Sequence, residues 1–405
     1  MKSRYLAAPL AVAALILAGC SATPAEPTAP SDENPFAVVY IGGITGALAS
    51  LSGIEVQGLE IAVDELNDAG GILGRTVTLE VIDDKSDPTE AVSVLQKRLT
   101  SGTKPDLIRA GLSSSEALAM IPVATRAGIP TFTPAASALL DDPKTYPLTK
   151  SITSGFNRAT EVIKDYALSK KYKKLTVLVP EDASGDSVYA GAEELYKGSG
   201  ITLTEARYNP ADVDLSVAYQ RAIQTDPDAI YVNCLSTACT RIVTARGSVA
   251  GGTDIPMLGD TSMASVPGGL GSTLSKDLIE NLFVAAYPIQ VNDPELQSDD
   301  FEDFYSKLTK VAGTPSVVTP PSCAYDGLKM FAAAAEKAKS SDGADMIDAI
   351  NSIDWKAGAF VSFGNAELKW DAKRTFPTLP DGAVVMVEVS PQVDGLYPPK
   401  NVFAG

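Results

Sequence analysis

At 405 residues and 45% hydrophobic content, the chain has enough apolar material for two cores. Its 33 Lys+Arg against 50 Asp+Glu give a net charge of −17, which argues against nucleic acid and anionic lipid headgroups as partners. With no His anywhere, a Ser-His-Asp triad is excluded and a zinc site would lack its usual ligands.

The chain opens with Lys2 and Arg4, then an apolar run from Tyr5 to Gly19. That pattern predicts a secretory signal over residues 1–19, because the run is shorter than the ~20 residues a membrane span requires. Leu17-Ala18-Gly19-Cys20 resembles the lipobox of bacterial lipoproteins. The resemblance implies that the Cys20 sulfur takes a diacylglyceryl group and becomes the anchored N-terminus, with several acyl chains giving stable membrane attachment. Residues 20–35 are rich in Pro, Ala, Ser and Thr without apolar periodicity, so they predict an extended tether, with the fold starting near Phe36.

Ala37 to Ile41 reads as a buried strand, followed by a Gly42-Gly43-Ile44-Thr45-Gly46 loop and a helix over Ile54 to Asn67 that stops at Gly70-Gly71. Strand Val77 to Ile82 comes next. Asp87-Pro88-Thr89-Glu90 then supplies an N-cap, a first-turn Pro and an acid, predicting a helix through Leu99. Strands Leu107 to Ala110 and Thr131 to Thr133 flank a helix beginning at Ser113-Ser114-Ser115. A second series runs helix Thr160 to Leu168, strand Leu175 to Val179, helix Val188 to Tyr196, strand Ile201 to Tyr208, helix Leu215 to Ile223, strand Ala229 to Val232 and a helix from about Ser236. Helices over Asp300 to Val311 and Ala324 to Lys337 follow. Two successive strand–helix series imply two α/β lobes with parallel sheets covered on both faces.

Open parallel sheets bind ligands beyond the carboxyl ends of their strands, where following helices offer unpaired N–H groups. Gly111-Leu112-Ser113-Ser114-Ser115-Glu116 sits at such an end, and the helix field there favours an anion. Thr133-Pro134-Ala135-Ala136-Ser137 sits at the next.

Asp64-Glu65-Leu66-Asn67, Ala69-Gly70-Gly71-Ile72-Leu73-Gly74-Arg75, Asp87-Pro88, the Gly-Leu-Ser-Ser-Ser segment and Ala127-Gly128-Ile129-Pro130-Thr131-Phe132-Thr133-Pro134-Ala135-Ala136-Ser137 occur in the order found in the leucine/isoleucine/valine-binding protein family. The chain resembles that family over nearly all of its mature length. The resemblance implies two Rossmann-like lobes with mostly parallel sheets, joined by a three-strand hinge, in the type I periplasmic binding protein fold. Lobe I would be residues 36–152 with 285–354, and lobe II residues 153–284 with 355–405. It further implies an extracytoplasmic, monomeric solute receptor for an ABC importer, with an ABC permease complex as its partner. The Ser113 and Ser114 turn and Ser137 would hold a solute carboxylate, and the Ala135 carbonyl would accept from its ammonium.

Departures from the family pattern widen the solute class to amino acids, amides and small carboxylates. In place of a common Tyr-Gly after the first second-lobe strand stands Asp182-Ala183-Ser184-Gly185-Asp186, with Ser184 the candidate contact. A ligand-facing Glu aligns with Thr261; either the adjacent Asp260 would take over the ammonium, or the solute would carry no ammonium at all. Tyr325 would line the cleft near the hinge or form a core stripe with Leu328, Ala332 and Ala335. Cys234 and Cys239 are spaced to bridge a strand end to the next helix, and Cys323 reads as a buried thiol. CxxC spacing is absent, and neither metal nor cofactor is expected.

Two other readings stay open at this stage. A receptor of the same fold would present its solute to a membrane sensor, and a surface hydrolase would use Ser101-Gly102-Thr103-Lys104 in the manner of a Ser-x-x-Lys enzyme. The second lacks the Ser-Asp-Asn and Lys-Thr-Gly partners, a Gly-x-Ser-x-Gly elbow and a phosphate loop.

Overall fold

A computed structural model describes residues 30–399 and 402–403. The expected signal and Cys20 lie outside these residues. Among the described residues no helix is long and apolar enough to cross a membrane.

Among the described residues the strands form two sheets. The first holds β1 (Ser31–Gly42), β2 (Arg75–Asp83), β3 (Leu107–Ala110), β4 (Thr131–Thr133) and β5 (Thr149–Ser151) in the order β2-β1-β3-β4-β5, all parallel. The second holds β6 (Lys174–Pro180), β7 (Thr202–Tyr208), β8 (Ala229–Val232), β9 (Met257–Gly259), β10 (Leu282–Ala286), β11 (Val385–Glu388) and β12 (Val402–Phe403). Its order is β12-β11-β10-β9-β8-β6-β7, with β6 to β10 parallel and the last two strands antiparallel. The parallel part therefore repeats the first sheet, and in each the strand order reverses direction beside the opening strand. Those reversals, between β1 and β3 and between β6 and β8, are where doubly wound sheets open a crevice for ligands.

The covering helices are α1 (Ala49–Asp68), α2 (Pro88–Thr100), α3 (Ser114–Arg126), α4 (Gly155–Ser169), α5 (Ala183–Leu195), α6 (Ser216–Ile223) and α7 (Thr237–Ser248). Short α8 (Thr261–Ala264), α9 (Leu270–Thr273) and α10 (Lys276–Ile279) precede the longer α11 (Phe301–Ala312), α12 (Thr319–Ala338) and α13 (Gly343–Ser352). Of these, α11 and α12 pack on α1 and so complete the first lobe.

Several bounds differ from the sequence reading for identifiable reasons. β1 starts five residues before Phe36, since Ser31 pairs with Arg75 and the Arg75 guanidinium holds the Asn34 and Pro35 carbonyls. α1 begins at Ala49, ahead of the expected Ile54, because its N-terminus carries no side-chain cap to mark it. β5, β9, β10, β11 and α13 were not expected; three of them are three or four residues long, too short for periodicity to show.

The chain passes between lobes after β5, after β10 and after α13. The Tyr287 hydroxyl ties the first two passages together through Thr153 Oγ1 at 2.8 Å and the Ser154 N–H at 3.1 Å. In the third passage Trp370 donates to the Ser151 carbonyl at 3.1 Å, and the buried Lys150 ammonium donates to the Asp371 and Arg374 carbonyls. β10 stays in the second sheet through Ala286, past the boundary expected at residue 285.

Candidate functional site

A cavity of about 130 Å³ lies between the lobes, lined from both switch points and from the passages joining them. Its first-lobe wall is the start of α3. Gly111 makes that turn: its φ is +54° and an added Cβ would fall 2.6 Å from the Ala117 nitrogen. Ser113 caps α3 by accepting from the Glu116 N–H, and Glu116 Oε2 accepts in return from the Ser113 and Leu112 N–H groups at 2.9 and 3.0 Å. Burial raises the Glu116 carboxyl above its usual range. The caps leave the Ser114 and Ser115 N–H groups and the Ser114 hydroxyl without partners among the described residues, and both residues line the cavity. Such a helix end attracts an anionic group.

Behind this wall lies a buried polar cluster. Arg109 pairs with Glu55, and Tyr40 donates to the same carboxylate at 3.1 Å. Asp84 sits nearby, and desolvation, reinforced by the charge of Glu116, raises its pKa to about 7.

The second-lobe wall is formed by the loops after β6, β8 and β9. Asp182 caps α5, its Oδ1 accepting from the Ser184 N–H at 2.8 Å, the Gly185 N–H at 3.1 Å and the Ser184 hydroxyl at 2.6 Å. Asn233 lines the cavity at the end of β8 and donates from Nδ2 to Asp260. Cys234 and Cys239 form a disulfide that closes the loop from β8 to α7. From Asp260, the Ser262 N–H is held at 3.0 Å, placing Thr261 and Ser262 in the lining.

The cavity thus gathers four of the sequence-derived candidates: Ser113, Ser114, Ser184 and Thr261. The others lie outside its lining. Ala135 is buried beside it, with Pro134 and Ala136 lining instead. Ser137 is fully buried and its hydroxyl accepts from the Leu139 N–H at 3.3 Å. Asp260 is sealed behind Asn233, and burial raises its pKa to about 6 against the opposing Asn233 hydrogen bond. Tyr325 packs on Phe304 and donates to Glu65 at 2.7 Å, within the first-lobe core. Cys323 is a buried free thiol whose residue lines the cavity, and burial pushes its titration well up. Sequence reasoning passed over Asp182, Asn233 and Tyr287 as contacts, although Asp182 before Ser184-Gly185 carried a readable N-cap signal.

A family model for periplasmic binding proteins matches residues 35–380. The chain belongs to the periplasmic binding protein family. Among curated relatives, the Leu/Ile/Val-binding protein BraC3 of Rhizobium johnstonii is 28% identical over 207 residues, which is 50% of this chain and 55% of the relative. The Leu/Ile/Val-binding protein of Escherichia coli is 26% identical over 253 residues, 62% of this chain and 67% of the relative. This periplasmic binding protein also shares its fold with a Rhodopseudomonas palustris BisB5 ABC-transporter solute-binding protein solved with 3,4-dihydroxybenzoic acid. There the TM-score is 0.75 at 19% identity, covering 91% of this chain and 96% of the other. The Streptococcus pneumoniae LivJ structure with isoleucine gives 0.70 at 21%, covering 89% and 97%. These curated relatives are named for binding leucine, isoleucine and valine, and the chain shares the fold of a Bordetella pertussis type 1 periplasmic binding protein with a TM-score of 0.76 at 19% identity, covering 92% of this chain and all of the other.

Proposed function

We propose that this chain is an extracytoplasmic lipoprotein that binds an amino acid or a related small polar solute between its lobes and delivers it to an ABC importer. The observation that carries this reading is the interlobe cavity whose first wall offers the unpaired α3 donors and whose second wall offers Asp182, Asn233 and Thr261. A solute touching both walls stabilises the closed arrangement by its differential affinity, and the closed shape would then be what the permease recognises. Relatives named for leucine, isoleucine and valine, and neighbours solved with isoleucine or with benzoate-type acids, frame the solute class. The tether rests on the Leu17-Ala18-Gly19-Cys20 pattern alone.

A thermal-shift panel of amino acids, amides and aromatic acids tests the binding role, because mass action stabilises a binder only with what it recognises. Flat melting temperatures across the panel would count against it. Cys20→Ala should release the protein from membranes, and unchanged membrane fractionation would remove the anchor from the proposal.

A further inference from the structure

We propose that Asp182 sets the charge preference of the interlobe cavity: its carboxylate accepts a cationic group of the solute, so the site takes a small carboxylate that also bears an ammonium and disfavours the matching acid without one. The inference rests on the reading of the cavity as the solute site.

Among the described residues, Asp182 is the one that lines the cavity with a formal charge, and no Lys or Arg lines it. The nearby Asp260 is fully buried and engaged by Asn233 and by the Ser262 and Met263 N–H groups, so it offers nothing to a solute. All three of the hydrogen bonds that Asp182 accepts fall on Oδ1, while Oδ2 has no partner among the described residues. Capping α5 uses one oxygen and leaves the other available. Helix N-termini meet the cavity from both lobes, α3 presenting open donors and α5 presenting a carboxylate already seated on its own donors. A solute carboxylate is therefore drawn to the α3 end, whereas the α5 end repels it and attracts a cation. The rest of the lining mixes apolar side chains such as Leu51, Leu112, Phe156 and Leu235 with uncharged polar ones such as Asn233 and Thr261, so it adds no compensating charge.

Calorimetry on the full chain, preceded by a thermal-shift screen, tests this with matched pairs: leucine against 4-methylpentanoate and phenylalanine against 3-phenylpropanoate, with 4-hydroxybenzoate as an aromatic acid. At least one amino acid should bind about tenfold or more tighter than its amine-free partner, as expected for a charge-assisted hydrogen bond. Asp182→Asn should weaken that amino acid about tenfold or more and narrow the gap within the pair. Asn caps a helix as well as Asp, so the fold and the melting temperature should hold, and Asp182→Glu should restore part of the preference. An amine-free acid binding as tightly as its partner, or an unchanged amino acid affinity in Asp182→Asn, overturns the assignment and leaves the cavity reading standing. No binding of any probe to the wild-type protein overturns the cavity reading itself, and the assignment with it.

Discussion

The Ser236 hydroxyl donates to the Ala47 carbonyl at 3.0 Å, joining a second-lobe loop to a first-lobe loop beside the cavity. Ser236 holds φ 54° and ψ −129°, a backbone region that glycine occupies far more readily. Across the same interface the Ala138 N–H donates to the Ser187 hydroxyl at 2.8 Å, a second hydrogen bond between the lobes.

Ser236→Gly separates closure from folding. It removes the cross-lobe donor and relieves the backbone, so solute affinity should fall by about 0.5–1.5 kcal/mol while the melting temperature holds or rises. Calorimetry and thermal melts read the two effects; a fall in stability without a change in affinity would show that the bond does not assist closure.

The Cys234–Cys239 disulfide ties β8 to the first turn of α7 across a loop that contributes Cys234, Leu235 and Ala238 to the lining. Closing so short a loop is worth about 2 kcal/mol on the chain-entropy account. The Cys234→Ser/Cys239→Ser protein should melt lower and bind its solute more weakly, because Ser236 would no longer be held in place. Identical melts with and without reductant would show that the bridge contributes nothing.

Ser114 and Ser137 should behave differently when truncated. Ser114→Ala removes an unpaired hydroxyl from the lining and should weaken a carboxylate-bearing solute by about 1.5–3 kcal/mol, with little change in melting temperature. Ser137→Ala removes the Leu139 cap and should cost about 1 kcal/mol of stability. Calorimetry beside denaturant melts distinguishes them, and an unchanged affinity in Ser114→Ala would take that hydroxyl out of the binding scheme.

Asp84 gives the protein a pH signature. Folded, it keeps its proton up to about pH 7, while an unfolded Asp loses it near pH 4. The native state therefore binds more protons in that window, and stability should fall as pH rises through it. Asp84→Asn should melt higher than the parent protein at pH 8 and close to it at pH 4, since Asn can still accept the Ser86 N–H. Equal melting temperatures at pH 8 would show that the ionised form is accommodated at no cost.

How much was legible in the sequence depends on the range over which each signal acts. Asp87-Pro88 announces α2 because capping is local, and the structure finds Asp87 accepting from the Thr89 and Glu90 N–H groups. Leu107 to Ala110 and Ala229 to Val232 read as strands because buried parallel strands are short apolar runs between turn residues, and both were found with those bounds. The antiparallel β11 gave no comparable signal, since it is four residues long and its buried positions, Met386 and Val387, are adjacent and do not alternate with exposed ones.

Read as residues alone, the chain showed the two α/β series, the family resemblance and the serine-capped start of α3, all of which follow from patterns within a few neighbouring residues or from their order along the chain. Which polar groups beside the cavity keep a free valence depends on the folded arrangement. Asp182 keeps one oxygen open while Asp260 is spent on Asn233 and backbone donors, and Tyr325 turns to Glu65. The competitors for those hydrogen bonds lie on other loops and helices, and burial, which settles whether a carboxylate meets solute or core, exists only once the chain has folded.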